Sequence, residues 1–390
     1  MCKTLYLWIG GKRILFFAAA TMMLLASCRG EKKMIFTIQN PSDFDRKGQT
    51  VEIPLQDVEL KLGNPDYRKL ELSGPENASI TYQVTYDKKF IFQLDIKAGE
   101  TKSFVLKQGN EIREFEPKTY ARFIKERYDD FAWENDKVAF RIYGHALKSV
   151  DGPSNGIDAW YKRTDKLIID KWYKTDLAGK GSYHEDHGEG LDDYKVGRSL
   201  GAGGMAPFVN DSLWLNENFA THELLDNGPI RSTFKLIYNN LNVNGKQYAE
   251  TRTISIDAGS QLTKIIQSYE GVSGKMTVAA GFVKRDGADL VISDANYLIY
   301  AEPYSDKVKN VFMAMVFPDI NIKDTVKTYK VGNDSYSHIL AVCDYDRPIT
   351  YYSGYGWSKA GIFSDIGVFE KYVAEFSESL KVPLTLKIQN

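Results

Sequence analysis

Cysteine is scarce in this chain, with three residues in 390, at positions 2, 28 and 343. So few exclude a disulfide scaffold and the paired spacing of a structural zinc site. Charge of one sign is not in surplus either: 50 Lys and Arg stand against 51 Asp and Glu, for a formal net charge of −1. Without a basic excess or a basic stripe there is no electrostatic case for nucleic acid as a partner. No phosphate-binding loop, nucleophile elbow or Ser-His-Asp order occurs, and no repeat of 20–50 residues. Long apolar runs are missing except for one, at the N-terminus. What remains is 43% apolar and 13% aromatic, with 24 Tyr and 20 Phe. That is enough for a substantial core and excludes disorder as the main state.

The single apolar run, Ile14 to Ala26, follows Lys3, Lys12 and Arg13. It is short for a bilayer span and suits the apolar stretch of an export signal. Leu25-Ala26-Ser27-Cys28 reads as a lipobox, so residues 1–27 are expected to be a lipoprotein signal peptide and Cys28 the lipidated residue. Membrane attachment would then run through that N-terminal lipid, placing an exported lipoprotein at the outer membrane. Cys343, within Leu340-Ala341-Val342-Cys343, reads as inert packing in a buried strand.

Residues 28–116 read as a small β-sandwich, with strands at Val51–Leu55, Val58–Leu62, Ile80–Tyr86, Phe90–Ile96 and Ser103–Leu106. The charged stretch Glu111–Arg127 forms the boundary, with a short helix expected over Tyr120–Tyr128. Residues 117–390 read as a large antiparallel β-supersandwich, from strands such as Val138–Tyr143, Ser232–Tyr238, Tyr248–Ile256, Leu262–Tyr269 and Val311–Phe317. Val368, Tyr372, Val373, Phe376 and Leu380 follow helical spacing, and Pro383 ends that helix before a last strand, Leu384–Ile388. The fold class is thus mainly β, with few helices.

Residues 144–210 have few regular apolar runs and are rich in Gly, Asp, Lys and His, as a segment covering a site would be. Within it, Tyr183-His184-Glu185-Asp186-His187-Gly188-Glu189-Gly190-Leu191-Asp192 is the densest polar cluster. Imidazole is the side chain suited to proton transfer near neutral pH, and a neighbouring carboxylate orients it. A second reading is a divalent cation held by His184, His187 and Glu189, although His-Glu-x-His is not the zincin spacing. A third is a solvated acidic loop. Next come Tyr194, Lys195 and Arg198 beside Gly201, Gly203 and Gly204. This is no dinucleotide fingerprint, but a tight backbone with cations for an anion. Substrate-binding candidates are Trp133 and Asn135, Asp158, Trp160 and Lys162, Arg231, and Tyr355, Trp357 and Lys359. The glycines among Tyr351–Lys359 suggest a loop whose rings stack on a sugar.

Four stretches stand out as a set: Trp133-Glu-Asn-Asp-Lys-Val-Ala-Phe-Arg-Ile-Tyr-Gly144, Asn155-Gly-Ile-Asp-Ala-Trp160, His184-Glu-Asp-His-Gly-Glu-Gly190 with Tyr194-Lys-Val-Gly197, and Tyr351-Tyr-Ser-Gly-Tyr-Gly-Trp357. In these the chain resembles the DUF4861 family of exported Bacteroidetes-type proteins, over nearly all of its mature length. The resemblance implies a setting among genes for acidic polysaccharide breakdown, and a large β part like the galactose-mutarotase supersandwich. It carries no mechanism, so residue roles rest on residue types. The leading expectation is an enzyme on uronate-containing saccharides, working by β-elimination. His184 or His187 would be the base, oriented by Glu185 or Glu189. Tyr183 or Tyr194 would protonate the leaving oxygen, and Arg198, Lys195 or Arg231 would neutralise the carboxylate. Hydrolysis by Glu185 and Glu189 is a variant. A mutarotase or epimerase, or a non-catalytic glycan binder using Trp160, Trp357, Arg198 and Lys359, are the alternatives. No cofactor is expected beyond the divalent cation of the second reading. For any of these chemistries, His184, His187 and Glu189 would share a cleft with Arg198 and the Tyr351–Lys359 segment.

Overall fold

The computed structural model describes residues 32–75, 78–328 and 337–389. Residues 1–27, expected as a signal peptide, and Cys28, expected as the lipidated residue, lie outside the described residues. The chain is mainly β, at 49% strand and 14% helix.

The N-terminal unit packs a sheet ordered Thr385–Ile388, Lys33–Gln39, Thr101–Gln108 and Leu70–Ser73 on one ordered Arg46–Pro54, Lys89–Ile96 and Tyr82–Val84. Lys33–Gln39 buries Met34, Phe36 and Ile38 at the two-residue period of a strand with one wet face. Phe36 meets Phe104 and Phe92 at ring separations of 5.4 and 5.9 Å. Residues 58–62 are not the expected strand: Leu55–Leu62 is a helix that buries Leu55, Val58 and Leu62 on one side. The last strand of the chain crosses back to pair antiparallel with Lys33–Gln39. The unit written as 28–116 is therefore completed by residues 385–388.

In the large unit, an eight-stranded antiparallel sheet runs in the order Thr221–Asn227, Arg231–Val243, Lys246–Asp257, Leu262–Glu270, Ile349–Trp357, Val311–Val316, Tyr297–Ala301 and Leu290–Ser293. Two five-stranded sheets face it. One is ordered Gly190–Asp192, Ile157–Lys162, Ala139–Ile142, Asp130–Asn135 and Thr119–Ile124. The other is ordered Ser212–Leu213, Ala202–Val209, Met276–Lys284, Ser337–Tyr345 and Asp324–Thr328. They abut where Ile157 bridges Gly201. Rings from opposing layers interdigitate: Phe131 on Phe234 at 4.1 Å, Phe140 on Tyr355 at 5.6 Å, Tyr161 on Trp357 at 5.6 Å. Cys343 is buried in this core, and burial pushes its thiol up to about 12. The expected helix over Tyr120–Tyr128 is instead the strand Thr119–Ile124, which buries Thr119, Ala121 and Ile124.

Each outer face of the sandwich carries a helix. Ile366–Lys381, capped by the Asp365 carboxylate on Val368 N–H, sets Phe369 against Phe312 of the eight-stranded sheet. Ile169–Leu177 sets Trp172 against Trp160 of the first five-stranded sheet. The two sandwiches are fastened at Gln83, whose side-chain oxygen accepts from Ile230 and Arg231 N–H while its amide donates to Arg231 O.

Candidate functional site

The His-rich segment lies over the first five-stranded sheet, beside the helix Ile169–Leu177. Asp186 holds it in shape. Its carboxylate accepts from Gly188 and Gly190 N–H, from Arg163 at 3.0 Å and from Lys359 at 3.1 Å. Burial would raise this carboxyl, but those donors hold it below the usual range. The loop therefore has a fixed shape, although it is mostly solvated.

Between helix and loop is a cleft of about 170 Å³, lined among others by Lys171, Trp172, Lys180, Glu185, His187 and Glu189. That is below the ~300–1,000 Å³ usual for a ligand pocket. Glu189 chelates Lys171 at 2.7 Å and accepts from the Trp172 indole. Burial raises its carboxyl, yet Lys171 and Trp172 bring it below the ordinary value, so it stays ionised at neutral pH. His187 is exposed, 3.8 Å from an exposed Glu185.

His184 does not line this cleft. Its Nδ1 lies 2.9 Å from the backbone oxygen of Asp192 and 3.7 Å from the Asp192 carboxylate. A carbonyl can only accept, so Nδ1 carries the proton and Nε2 presents its lone pair. The ring is 59% exposed, leaning on Tyr183 at 4.6 Å.

Beneath it, on the sheet's outer face, is a buried ionic cluster. Arg141 donates to Asp158 at 2.6 Å and Asp192 at 2.9 Å, and Asp130 pairs with Arg127 at 2.9 Å. Strand register produces this: Asp158 sits opposite Arg141, and Asp192 opposite Trp160. The Tyr143 and Trp160 rings flank the guanidinium at 5.1 Å. Burial, then the charge of Asp158, pushes the Asp192 carboxyl up to about 8 against the pull of Arg141. Asp130 is likewise pushed up by burial, to about 6. Asp158 Oδ1 and Arg141 Nη1 have no hydrogen-bond partner among the described residues, and Arg141 Nε meets Asp130 only as an ion pair, at 3.9 Å. Shifted proton affinities and unmet polar atoms at one place make this cluster a candidate site.

The other sequence candidates fall elsewhere. Trp133, Trp160, Tyr355 and Trp357 are core residues, at most 1% exposed, and cannot stack on a sugar. The Tyr351–Trp357 segment is a strand of the eight-stranded sheet rather than a loop. Its glycines make room: a Cβ at Gly356 would lie 2.6 Å from the Phe369 ring, and one at Gly354 2.0 Å from Gln261 O. Tyr194 is buried and donates to Gly201 O, so its hydroxyl is no proton source for a solvent-facing site. Asn135 clamps a turn through Asp257 O and Ser260 O. Lys162 is buried against Glu134 at 2.7 Å; burial lowers its proton affinity and raises that of Glu134. Arg231 joins the two sandwiches through Asp257 and Glu52. Lys195 is exposed, and Arg198, half-buried, lies outside the cleft. Of the Tyr351–Lys359 segment only Lys359 reaches the His-rich loop, through Asp186. Of the anticipated convergence, His187 and Glu189 share the cleft, while His184 and Arg198 do not line it.

Among the described residues no group of three or more His, Cys, Asp or Glu is arranged to hold a metal ion. Asp186 and Asp192 stand in the polar cluster and Arg141 in one of the four motif stretches, but sequence reasoning assigns none of them a role, and Asp130 does not stand out. An arginine inside the apolar run Ala139-Phe140-Arg141-Ile142 was the readable signal, since a charge there needs buried partners.

Comparison with known proteins agrees with these motifs. An uncharacterized protein P7 of Formosa agariphila is 31% identical over 393 residues, covering 96% of this chain and 98% of that one. Two solved structures from Enterococcus faecalis also align, a glycosyl hydrolase family 38 protein (TM-score 0.45) and an alpha-mannosidase (TM-score 0.47). Both are 10% identical and cover 93% of this chain, which spans about half of theirs, 48% and 47%. A family model described as a domain of unknown function, DUF4861, matches residues 38–386, and the chain belongs to that family.

Proposed function

We propose that this protein is an exported, lipid-anchored enzyme that acts on acidic, uronate-bearing saccharides by β-elimination. The observation that carries the reading is His184. Its Nδ1 proton is committed to Asp192 O, its Nε2 is free, and a buried carboxyl of raised proton affinity lies 3.7 Å behind it. That is the arrangement of a general base whose protonated form is stabilised when Asp192 ionises. In the reaction Nε2 takes the C5 proton of a uronate. The electron pair forms the C4–C5 double bond, and the C4 oxygen leaves with a proton, for which Tyr183, its ring 4.6 Å from that of His184, is the neighbouring donor. Exposed Lys195 offers a cation for the substrate carboxylate. This scheme requires no cofactor.

The test is incubation with pectic, ulvan-like and glycosaminoglycan oligomers while absorbance of a new C4–C5 double bond is followed. Growth of that absorbance supports the reading. Binding of the same oligomers with no change in them would instead favour a glycan-binding role.

A further inference from the structure

A larger cleft than the one beside His187 lies elsewhere. A cleft of about 450 Å³ lies where the N-terminal sandwich meets the outer face of the eight-stranded sheet and the helix Ile366–Lys381. This is within the ~300–1,000 Å³ range of small-ligand sites, which favour such junctions. Cations exceed acids on its walls: Arg46, Lys47, Arg231 and Lys264 against Glu52 and Asp257. Both carboxylates are already bonded to Arg231, at 2.6 and 2.5 Å. Lys264, directly opposite Tyr352 in the strand register, has no ion pair among the described residues although it is largely buried, and burial lowers its proton affinity. Arg46, 3% exposed, leaves Nε without a hydrogen-bond partner there. Glu52 and Asp257 act on Lys264, and Glu378 on Arg46, only through their charge, so an ammonium without an ion pair and a guanidinium Nε without an acceptor are costly unless a ligand meets them. The remaining wall offers hydroxyls, such as Ser255 beside Lys264, and the Tyr352 ring.

We propose that this cleft is a second, non-catalytic site that binds an acidic saccharide unit, with Lys264 and Arg46 receiving its carboxylate or sulfate and the Tyr352 hydroxyl bonding one of its hydroxyls. The ligand class is that of the proposed reaction, but the site is separate from His184.

The test is calorimetric titration of the mature full-length chain with oligogalacturonates, with a sulfated glycosaminoglycan oligomer and with neutral cello-oligomers. Saturable binding of an acidic oligomer but not of the neutral one is expected, at least about tenfold weaker in Lys264→Met and in Tyr352→Phe. The second variant removes only a hydroxyl, so it reports on the site even if the first folds poorly. Which acidic oligomer binds distinguishes carboxylate from sulfate. Equal binding of acidic and neutral oligomers, no binding, or binding unchanged in both variants would overturn the site. Acid-selective binding lost in these variants without any elimination would sink the proposed reaction and leave the cleft standing. Elimination that needs His184, with binding indifferent to Lys264 and Tyr352, would do the reverse.

Discussion

At the scale of single residues, the Arg141 cluster ties charge to stability. Asp192 is held protonated up to about 8, burial being the larger cause and Asp158 the next. An aspartate in the unfolded chain releases its proton near ~3.9. Between those values the native state keeps a proton that the unfolded chain has lost. Stability from this group is therefore fully present below the unfolded value and drains away as pH rises toward and through about 8. Asp192→Asn carries no charge at any pH, so its melting temperature should fall less with rising pH and should exceed that of the wild type on the alkaline side. Thermal melts from about pH 5 to about pH 9 check this, and parallel wild-type and variant curves would show that Asp192 does not titrate in that window. The same cluster explains what the sequence conveyed and withheld here. His184 and its neighbours stood out because polar residues crowd one loop. Asp158 was noticed as a possible ligand, but its actual partner Arg141 lies 17 residues earlier and meets it only through strand pairing.

At the scale of elements, the helix Ile169–Leu177 has no side-chain cap of its own. Its first N–H groups, on Ile168 and Ile169, are met by the Glu134 carboxylate at 2.8 Å. That carboxylate also holds buried Lys162, so one residue of the sheet satisfies both a helix end and a lone cation. Glu134→Gln keeps an acceptor for the N–H groups and strands the ammonium, with an expected loss of about 3–5 kcal/mol in denaturant unfolding. A loss of under about 1 kcal/mol would mean that Lys162 sheds its proton or finds another partner. Strands and the terminal helix were legible because their apolar residues keep a period. Leu55–Leu62 was misread because five residues, Val58–Leu62, fit both periods, and length could not decide. Gly354 and Gly356 were misread as loop signals for a different reason. In a sheet they make room, for the Gln261 backbone and for the rings of Phe363 and Phe369, and a sequence does not display which groups the fold brings against them.

At the scale of the whole molecule, the chain ends where it begins. Phe36 pairs with Ile388 and Ile38 with Leu386, so the last strand closes the edge of the first sandwich after the large one has been built. Deleting residues 383–390 should uncover that edge, and limited proteolysis should then cut within residues 33–116 before it cuts the large unit. Unchanged digestion would show that the pairing adds little. The closure also sets the helix Ile366–Lys381 against both units, which shapes the cleft holding Lys264. On the opposite five-stranded sheet, the His-rich loop is kept rigid by Asp186 and underlain by Arg141. The claim that matters most is that His184 there is the base of an elimination reaction. Double-bond absorbance from uronate oligomers, followed for wild type and His184→Ala at equal melting temperature, tests it most directly. The wild type should produce the double bond, and the variant should do so about 10²–10⁴ times more slowly. A variant that turns over as fast as the wild type would contradict it.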